Sequence, residues 1–223
     1  MLVERDAELV LLGHAVDEAA RGGGSLTLID GAPGTGKSAL LQTVRERASD
    51  LGHTLLTARG SPEEIEFPYG LVRQLIGPVL RTDMGRRATD NGVAQHALRL
   101  VDPASAPQAP VDTTYSMLQG LYWLLSNLST ITPVVVTIDD LHVGDTPSLE
   151  FLRFLGNRLD GERIAVVCAG DTSAPAGSLA TALLDVAQHT TRLRPLTQEA
   201  VGTLVEDTLG RTLAGALAEA CHV

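Results

Sequence analysis

The sequence is poor in several residue types, and each shortage excludes a class of protein. Only two of its 223 residues are cysteines, and neither has a partner at zinc-site spacing, so neither a disulfide framework nor a zinc site is expected. Aromatic residues make up only 3%, which leaves the core to aliphatic side chains. The strongly apolar run at residues 134–138 is far too short to span a bilayer. The N-terminus lacks the order of a signal peptide. We therefore expect a cytoplasmic protein with no membrane contact.

Basic residues are also scarce, and their identity is unusual. The chain has 27 acidic and 17 basic residues and a net charge of −10, which disfavours nucleic-acid binding by this chain alone. All basic residues but one are arginine, and the single lysine is Lys37. Apolar residues at 44% are ordinary for a globular domain of this length.

Apolar runs alternate with segments of helical periodicity along the chain. The runs predict buried strands at residues 25–29, 54–58, 134–138 and 164–169, with a short one at 191–193. Helices are predicted at 8–20, 38–48, after Pro68, at 115–128, after an N-cap at Thr146, and from Thr197; the proline-rich residues 102–112 read as a loop. This order predicts an α/β fold whose mainly parallel sheet is covered by helices on both faces.

The segment between the first predicted strand and the second helix matches a phosphate-binding loop at every fixed position. Its residues are Gly31, Ala32, Pro33, Gly34, Thr35, Gly36, Lys37 and Ser38. Glycines let several backbone N–H groups point into one concavity, and the helix N-terminus adds partial positive charge. Lys37 would contact the β- and γ-phosphates, and the Ser38 hydroxyl would ligate Mg²⁺. The alternative is a Gly/Pro turn that happens to contain a lysine.

Two acidic residues follow the predicted strand at 134–138. Asp139 would support the Mg²⁺ shell, and Asp140 would orient or deprotonate an attacking water. The alternative is that both residues merely form a turn at the end of the strand. A guanine-reading Asn-Lys-x-Asp motif needs a second lysine, which the chain lacks, so adenine is favoured.

Three other residues have open or ordinary interpretations. His142 could reach the γ-phosphate region or could serve as a structural loop histidine. Cys168 is expected to be a small core residue, and Trp123 on the 115–128 helix is expected to serve packing. Any arginine could act as an arginine finger, but nothing in the sequence selects one.

Several segments resemble the ATP-binding domain of the large LuxR-type transcriptional regulators, the MalT-like branch of the STAND nucleotide-switch proteins, which are similar to AAA+ ATPases. The matching residues are 2–9, the phosphate loop with 39–41 after it, 58–61, 67–75 (FPYGLVRQL), 118–125, 139–142 and 145–149. The segment at 67–75 and the GLYWLL segment are the more specific ones, because many families share the phosphate loop.

The resemblance implies a three-layer P-loop NTPase core at residues 1–196, with sheet order 5-1-4-3-2, and the start of a helical lid at 197–223. It implies that Ala39 contributes to the nucleotide site and that Arg5 lies near the adenine. It further implies a switch between ADP and ATP states, self-association in the ATP state, and DNA binding through a C-terminal domain beyond this chain.

The sequence departs from the family pattern in three places. Val143-Gly144 replaces Trp-Ala, and Asp171 stands where an arginine usually senses the γ-phosphate. The family's lid motif and DNA-binding domain would lie beyond Val223. An acid at position 171 would repel developing negative charge, so we expect slow or no hydrolysis.

The favoured function is a Mg-ATP/ADP-binding regulatory module. The alternatives are an active ATPase that needs a partner's arginine finger, and an interaction module that has lost nucleotide binding.

Overall fold

The computed structural model describes residues 2–90, 92–100, 113–171 and 183–209. The strands are β1 (Ser25–Asp30), β2 (Thr54–Arg59), β3 (Val134–Asp139), β4 (Ile164–Gly170) and β5 (His189–Arg192). The helices are α1 (Asp6–Ala19), α2 (Lys37–Asp50), α3 (Gly70–Leu80), α4 (Asp83–Thr89), α5 (Thr113–Ile131), α6 (Thr146–Gly156) and α7 (Gln198–Leu209). Short 3₁₀ segments lie at Pro62–Glu64, Gly92–Leu100 and Leu141–Val143.

The strands form one parallel sheet in the order β2-β3-β4-β1-β5. Read from the other edge, this is the predicted order 5-1-4-3-2, so the expected P-loop NTPase fold is confirmed. β1 lies between β4 and β5 and pairs Ser25 with Ala165 and Thr27 with His189. All carboxyl ends of the strands therefore meet at one edge of the sheet.

Successive residues of the central strands face opposite sides, and both sides are apolar. In β4, Ile164, Val166 and Cys168 pack into a core with α3, α5 and α6. The intervening Ala165 and Val167 pack into a second core with α1 and α2. Because side chains alternate along a strand, a run without polar residues can be buried on both faces, as the apolar runs predicted.

Cys168 lies within the first core, as expected. Its thiol is completely buried, which raises its pKa to about 12, so it is unreactive at neutral pH.

The structure corrects one predicted helix boundary and adds one element. The N-cap of α6 is Asp145, not Thr146, because the Asp145 carboxylate accepts the Ser148 N–H at 3.0 Å. Gly92–Leu100 forms a 3₁₀ segment that the sequence did not predict. Trp123 packs edge-on against Tyr122, with ring centroids 5.5 Å apart, and is 43% exposed. The predicted loop at 102–112 lies outside the described residues, as does most of the predicted lid.

None of the helices in the described ranges combines the length and apolarity that crossing a bilayer requires.

Candidate nucleotide site

The phosphate loop joins β1 to α2 at the carboxyl edge of the sheet. Gly34 and Gly36 adopt positive φ angles of 82° and 95°, which are strained for other residues. Beside both glycines, the position of a Cβ atom meets no heavy atom of the protein within 4 Å, so the loop opens onto free space. Gly36 is also the N-cap of α2, and as a glycine it has no side chain to cap that helix. The first amides of α2 are therefore available to an anion.

Lys37 lies across the loop that precedes it. Its ammonium group donates to the carbonyl oxygens of Gly31 at 2.6 Å and Ala32 at 2.9 Å, and the residue is only 8% exposed. The Thr35 hydroxyl donates to the same Ala32 oxygen at 2.8 Å. Ser38 and Ala39 lie exposed on the first turn of α2. Gly31, Ala32, Thr35 and Lys37 are thus linked to one another by hydrogen bonds within the loop.

Asp139 lies at the end of β3, on the same edge of the sheet as the loop. Only β4 separates β3 from β1, so the two strands lie about 10 Å apart. Asp139 is 6% exposed, and its carboxylate accepts the Asp140 N–H at 3.0 Å.

Asp140 is turned away from Asp139 toward β2. Its backbone has a left-handed φ of 50°. Its carboxylate accepts a hydrogen bond of 2.9 Å from Arg59 Nε, at the end of β2. This bond is the main reason that the pKa of Arg59 lies above its ordinary value. Asp140, the candidate general base, is therefore already paired with the guanidinium group of Arg59.

The Arg59 backbone is itself fixed by Gln74 of α3. The Gln74 side chain accepts the Arg59 N–H at 2.9 Å and donates to the Arg59 carbonyl at 3.1 Å. Next to it, Gly60 donates to the Asp139 carbonyl at 2.9 Å and lies so close to Asp140 that a Cβ would come within 2.2 Å of its carbonyl oxygen. Sequence reasoning did not assign Arg59 a role. The available signal was its position: Arg59 directly follows the predicted strand at 54–58, and the implied sheet order places that strand beside the one that ends at Asp139.

Asp145 joins the segment after Asp140 to α3. One carboxylate oxygen accepts the N–H groups of Tyr69 at 2.7 Å and Ser148 at 3.0 Å, and the other accepts the Leu71 N–H at 3.1 Å. Tyr69 precedes α3 with a left-handed φ of 61°, and no local side chain caps that helix. A residue distant in sequence therefore caps α3, and no local pattern reveals this.

Arg5 connects the N-terminal segment to the loop. Its guanidinium is buried and donates to the carbonyl oxygens of Thr35 at 3.0 Å and Arg194 at 2.8 Å. Close by, the Glu4 carboxylate accepts the Thr197 N–H at 3.0 Å and also the Thr197 hydroxyl. These two bonds hold the pKa of Glu4 below its ordinary value. Arg5 thus positions the loop backbone, and its predicted contact with adenine remains a prediction.

A cavity of about 570 Å³ opens beside the loop. Its lining includes Ala32 and Thr35 together with Asp171, Arg192 and Arg194. Asp171 follows β4, and its N–H donates to His142 Nδ1 at 3.4 Å, which favours the structural interpretation of His142. Arg192 lies 3.4 Å from the carboxylate of buried Asp30. Asp171 therefore places an acidic residue in the lining of this cavity.

The residues present fit a Mg-nucleotide. The open glycine cradle and the uncapped α2 N-terminus suit phosphate oxygens, and Lys37 adds a cation. A serine hydroxyl and a carboxylate are the hard oxygen donors that Mg²⁺ prefers. Ser38 and Asp139 would hold such an ion.

Comparison with known proteins agrees with this geometry. The family model described as AAA ATPase domain matches residues 1–167. Among solved structures, Cdc6p from Pyrobaculum aerophilum aligns with a TM-score of 0.58 and 17% identity, over 93% of this chain and 49% of that one. The ORC1 protein of Aeropyrum pernix, solved in complex with DNA, gives 0.53 and 18% over 93% and 49%. The replication initiator DnaA, bound to AMPPCP and single-stranded DNA, gives 0.52 and 11% over 98% and 56%.

At these identities the structural matches establish the fold alone, and this chain spans about half the length of those proteins. The comparison with curated proteins finds no match. The family model covers three quarters of the sequence, including the phosphate loop, Asp139 and Asp140. The chain therefore belongs to the AAA ATPase domain family.

Proposed function

We propose that this chain is the ATP/ADP-binding switch domain of a LuxR-type transcriptional regulator, binding Mg-nucleotide with slow or no hydrolysis. The observation that carries the proposal is the open phosphate loop, with Lys37 lying across it and the first amides of α2 uncapped. The FPYGLVRQL segment supports the regulator assignment. DNA would be bound through a domain outside this chain, in the cytoplasm.

The chain's own residues account for binding. The amides after Gly34 would donate to phosphate oxygens, and Lys37 would exchange its two carbonyl partners for them. Mg²⁺ bound by Ser38 and Asp139 would neutralise charge on the β- and γ-phosphates. Arg5 would keep the Thr35 carbonyl, and so the loop, in place.

Two features support slow turnover. Asp140 is engaged by Arg59, which lowers its availability as a base for water. Asp171 places a negative charge where a cation would stabilise the transition state. A domain that holds its nucleotide without rapid turnover suits a switch.

The test is thermal unfolding with Mg-ATP, Mg-ADP and Mg-GTP, on the wild type and on Lys37→Ala. A ligand at 100 times its dissociation constant stabilises by about 2.7 kcal/mol, which raises Tm by roughly 5–10 °C for a domain of this size. We expect this shift with adenine nucleotides in the wild type and its loss in Lys37→Ala.

Arg81→Ala is the matched control, because it removes one exposed positive charge at the far end of α3. It should keep the full shift. If Lys37→Ala shifts as much as the wild type, or if no nucleotide shifts the wild type, the proposed site is wrong and the chain is an interaction module.

The second candidate is an active ATPase that is completed by a partner's arginine. It is favoured by the intact set of Lys37, Ser38 and Asp139 and by the family match. Steady-state phosphate release that rises steeply with protein concentration would support this candidate, because the missing arginine would come from a second molecule. Turnover that stays low at every concentration supports the switch.

A further inference from the structure

The free edge of β2 carries unpaired backbone groups. β2 is the outermost strand on its side of the sheet and pairs with β3. The Thr54 N–H donates to the Pro133 carbonyl at 2.8 Å, so the backbone groups of Thr54 and of every second residue after it point toward β3. The N–H and C=O groups of Leu55 and Thr57 therefore point away from the sheet. Within the described residues, these outward groups have no hydrogen-bond partner.

The next outward-pointing residue, Arg59, shows what kind of partner this edge accepts. The Gln74 carboxamide accepts the Arg59 N–H at 2.9 Å and donates to the Arg59 carbonyl at 3.1 Å. A carboxamide has the donor and the acceptor of a peptide group, so Gln74 takes the place of one residue of a neighbouring strand. An extended polypeptide presents the same donor and acceptor at every second residue. Its backbone therefore fits the open positions at Leu55 and Thr57.

A groove of about 400 Å³ runs along the same edge. Residues 52–57 form one side of it. The opposite wall is apolar and comes from α3 and α4, with Leu75, Pro78, Val79 and Met84. Among the described residues that line the groove, none is an acid, a lysine or an arginine. Side chains of an added strand alternate, so one set meets this wall while the other lies beside exposed Thr57.

The edge lacks the features that usually protect an outermost strand. Proline, charged side chains or a covering element block most sheet edges, yet residues 54–58 contain neither proline nor a charge. His53, which also lines the groove, has a buried Nδ1 atom without a hydrogen-bond partner in the described part of the chain. Buried polar atoms in folded proteins are normally paired. A polar group of an occupant at this end of the groove would satisfy it.

We propose that the edge of β2 binds an extended segment of a partner protein, which adds to the five-stranded sheet as a further strand. β2 begins at Thr54 and Gln74 closes the groove at Arg59, so the segment that pairs has about five residues. It is uncharged, with apolar side chains toward the α3 wall alternating with polar ones. Main-chain hydrogen bonds supply the affinity, and the wall supplies the specificity. The groove contains no residue of the phosphate loop, so this contact stands independently of the proposed function.

The experiment measures amide hydrogen exchange of the whole chain by NMR, with and without the acetylated and amidated peptide Thr-Val-Thr-Val-Thr. In the free chain, we expect the amides of Leu55 and Thr57 to exchange rapidly. Peptide at 100 times its dissociation constant leaves about 1% of the groove free, so exchange at these two amides should slow about a hundredfold. Protection of these two alternate amides is the signature of strand addition, because a ligand that only fills the groove does not bond to them.

Two matched comparisons make the test specific. Thr57→Pro removes one outward N–H at a position where an edge strand tolerates proline, and it should abolish the protection of Leu55. Thr57→Val keeps the backbone group and should retain that protection. In the peptide, replacing both valines by glutamate should abolish binding, since a charge cannot enter the apolar wall, whereas serine in place of the threonines should preserve it. Circular dichroism checks that both protein variants fold.

Three results would overturn the proposal. The first is an absence of peptide binding at millimolar concentration. The second is binding that leaves the Leu55 and Thr57 amides unprotected, which would assign the groove to a ligand that does not extend the sheet. The third is protection that appears without peptide and grows with protein concentration, which would assign the edge to a second copy of the chain.

Discussion

Asp145→Ala should be one of the most damaging single substitutions in this domain. The side chain is 3% exposed and accepts three backbone N–H groups from two different helices. Leu71 and Ser148 are buried, so water cannot easily replace the lost acceptor there. Each unsatisfied buried amide costs about 1–3 kcal/mol, which gives a loss of roughly 3–5 kcal/mol. Typical total stabilities are about 5–15 kcal/mol.

The assay is urea unfolding combined with a thermal scan. The loss corresponds to a Tm decrease of about 6–20 °C for a domain of this size, with the urea m-value unchanged. Asp145→Asn should lose less, because its carbonyl oxygen still accepts from Tyr69 and Ser148. Asp83→Ala is the matched control: it removes a carboxylate that is 84% exposed in the first turn of α4 and should change Tm little. A loss below about 1 kcal/mol for Asp145→Ala would refute the capping argument.

Three further predictions concern turnover and pH. Arg59→Gln should raise ATP turnover about two- to fivefold, because it frees Asp140; unchanged phosphate release would contradict this. The pKa of Asp17 is lowered chiefly by the hydrogen bond from Arg47. The Asp17–Arg47 pair therefore stabilises the folded state above about pH 3.8, and this stabilisation is lost as pH falls through the folded-state pKa of Asp17. Asp17→Asn should be less stable at neutral pH by under about 1 kcal/mol, with the gap closing in acid unfolding curves. Burial lowers the pKa of His53 below 6.5, so the folded state binds fewer protons than the unfolded state as pH falls. The folded state therefore loses stability as pH falls from 6.5 toward the folded-state pKa of His53. His53→Gln should make Tm fall less steeply over this pH range.

The phosphate loop and the strand order follow from local pattern and family resemblance. The loop needs glycines at fixed spacing, and the buried parallel strands need unbroken apolar runs, so both leave marks in the sequence. Contacts between distant segments leave no such mark. The Arg59–Asp140 pair joins residues 81 apart, and the Asp145 cap of α3 joins residues 74 to 76 apart.

The 43% exposure of Trp123 could not be predicted for a related reason. Helical periodicity places Trp123 next to the buried residues Leu124 and Leu125, but which side of α5 is covered depends on the rest of the fold. The predicted lid beyond residue 196 and the roles of the individual site residues stay predictions.

The position of β1 in the sheet has a consequence for how the protein is made. β1 is the first strand to leave the ribosome, yet both of its neighbours, β4 and β5, are the last. Its pairing spans 140 residues to β4 and 162 to β5. Pairings over such separations close slowly, because the loop entropy is lost before any contact forms. The nascent chain therefore leaves β1, which is buried along its whole length in the folded domain, without its partner strands until β5 has been synthesised, and this interval is when aggregation or chaperone binding competes with folding.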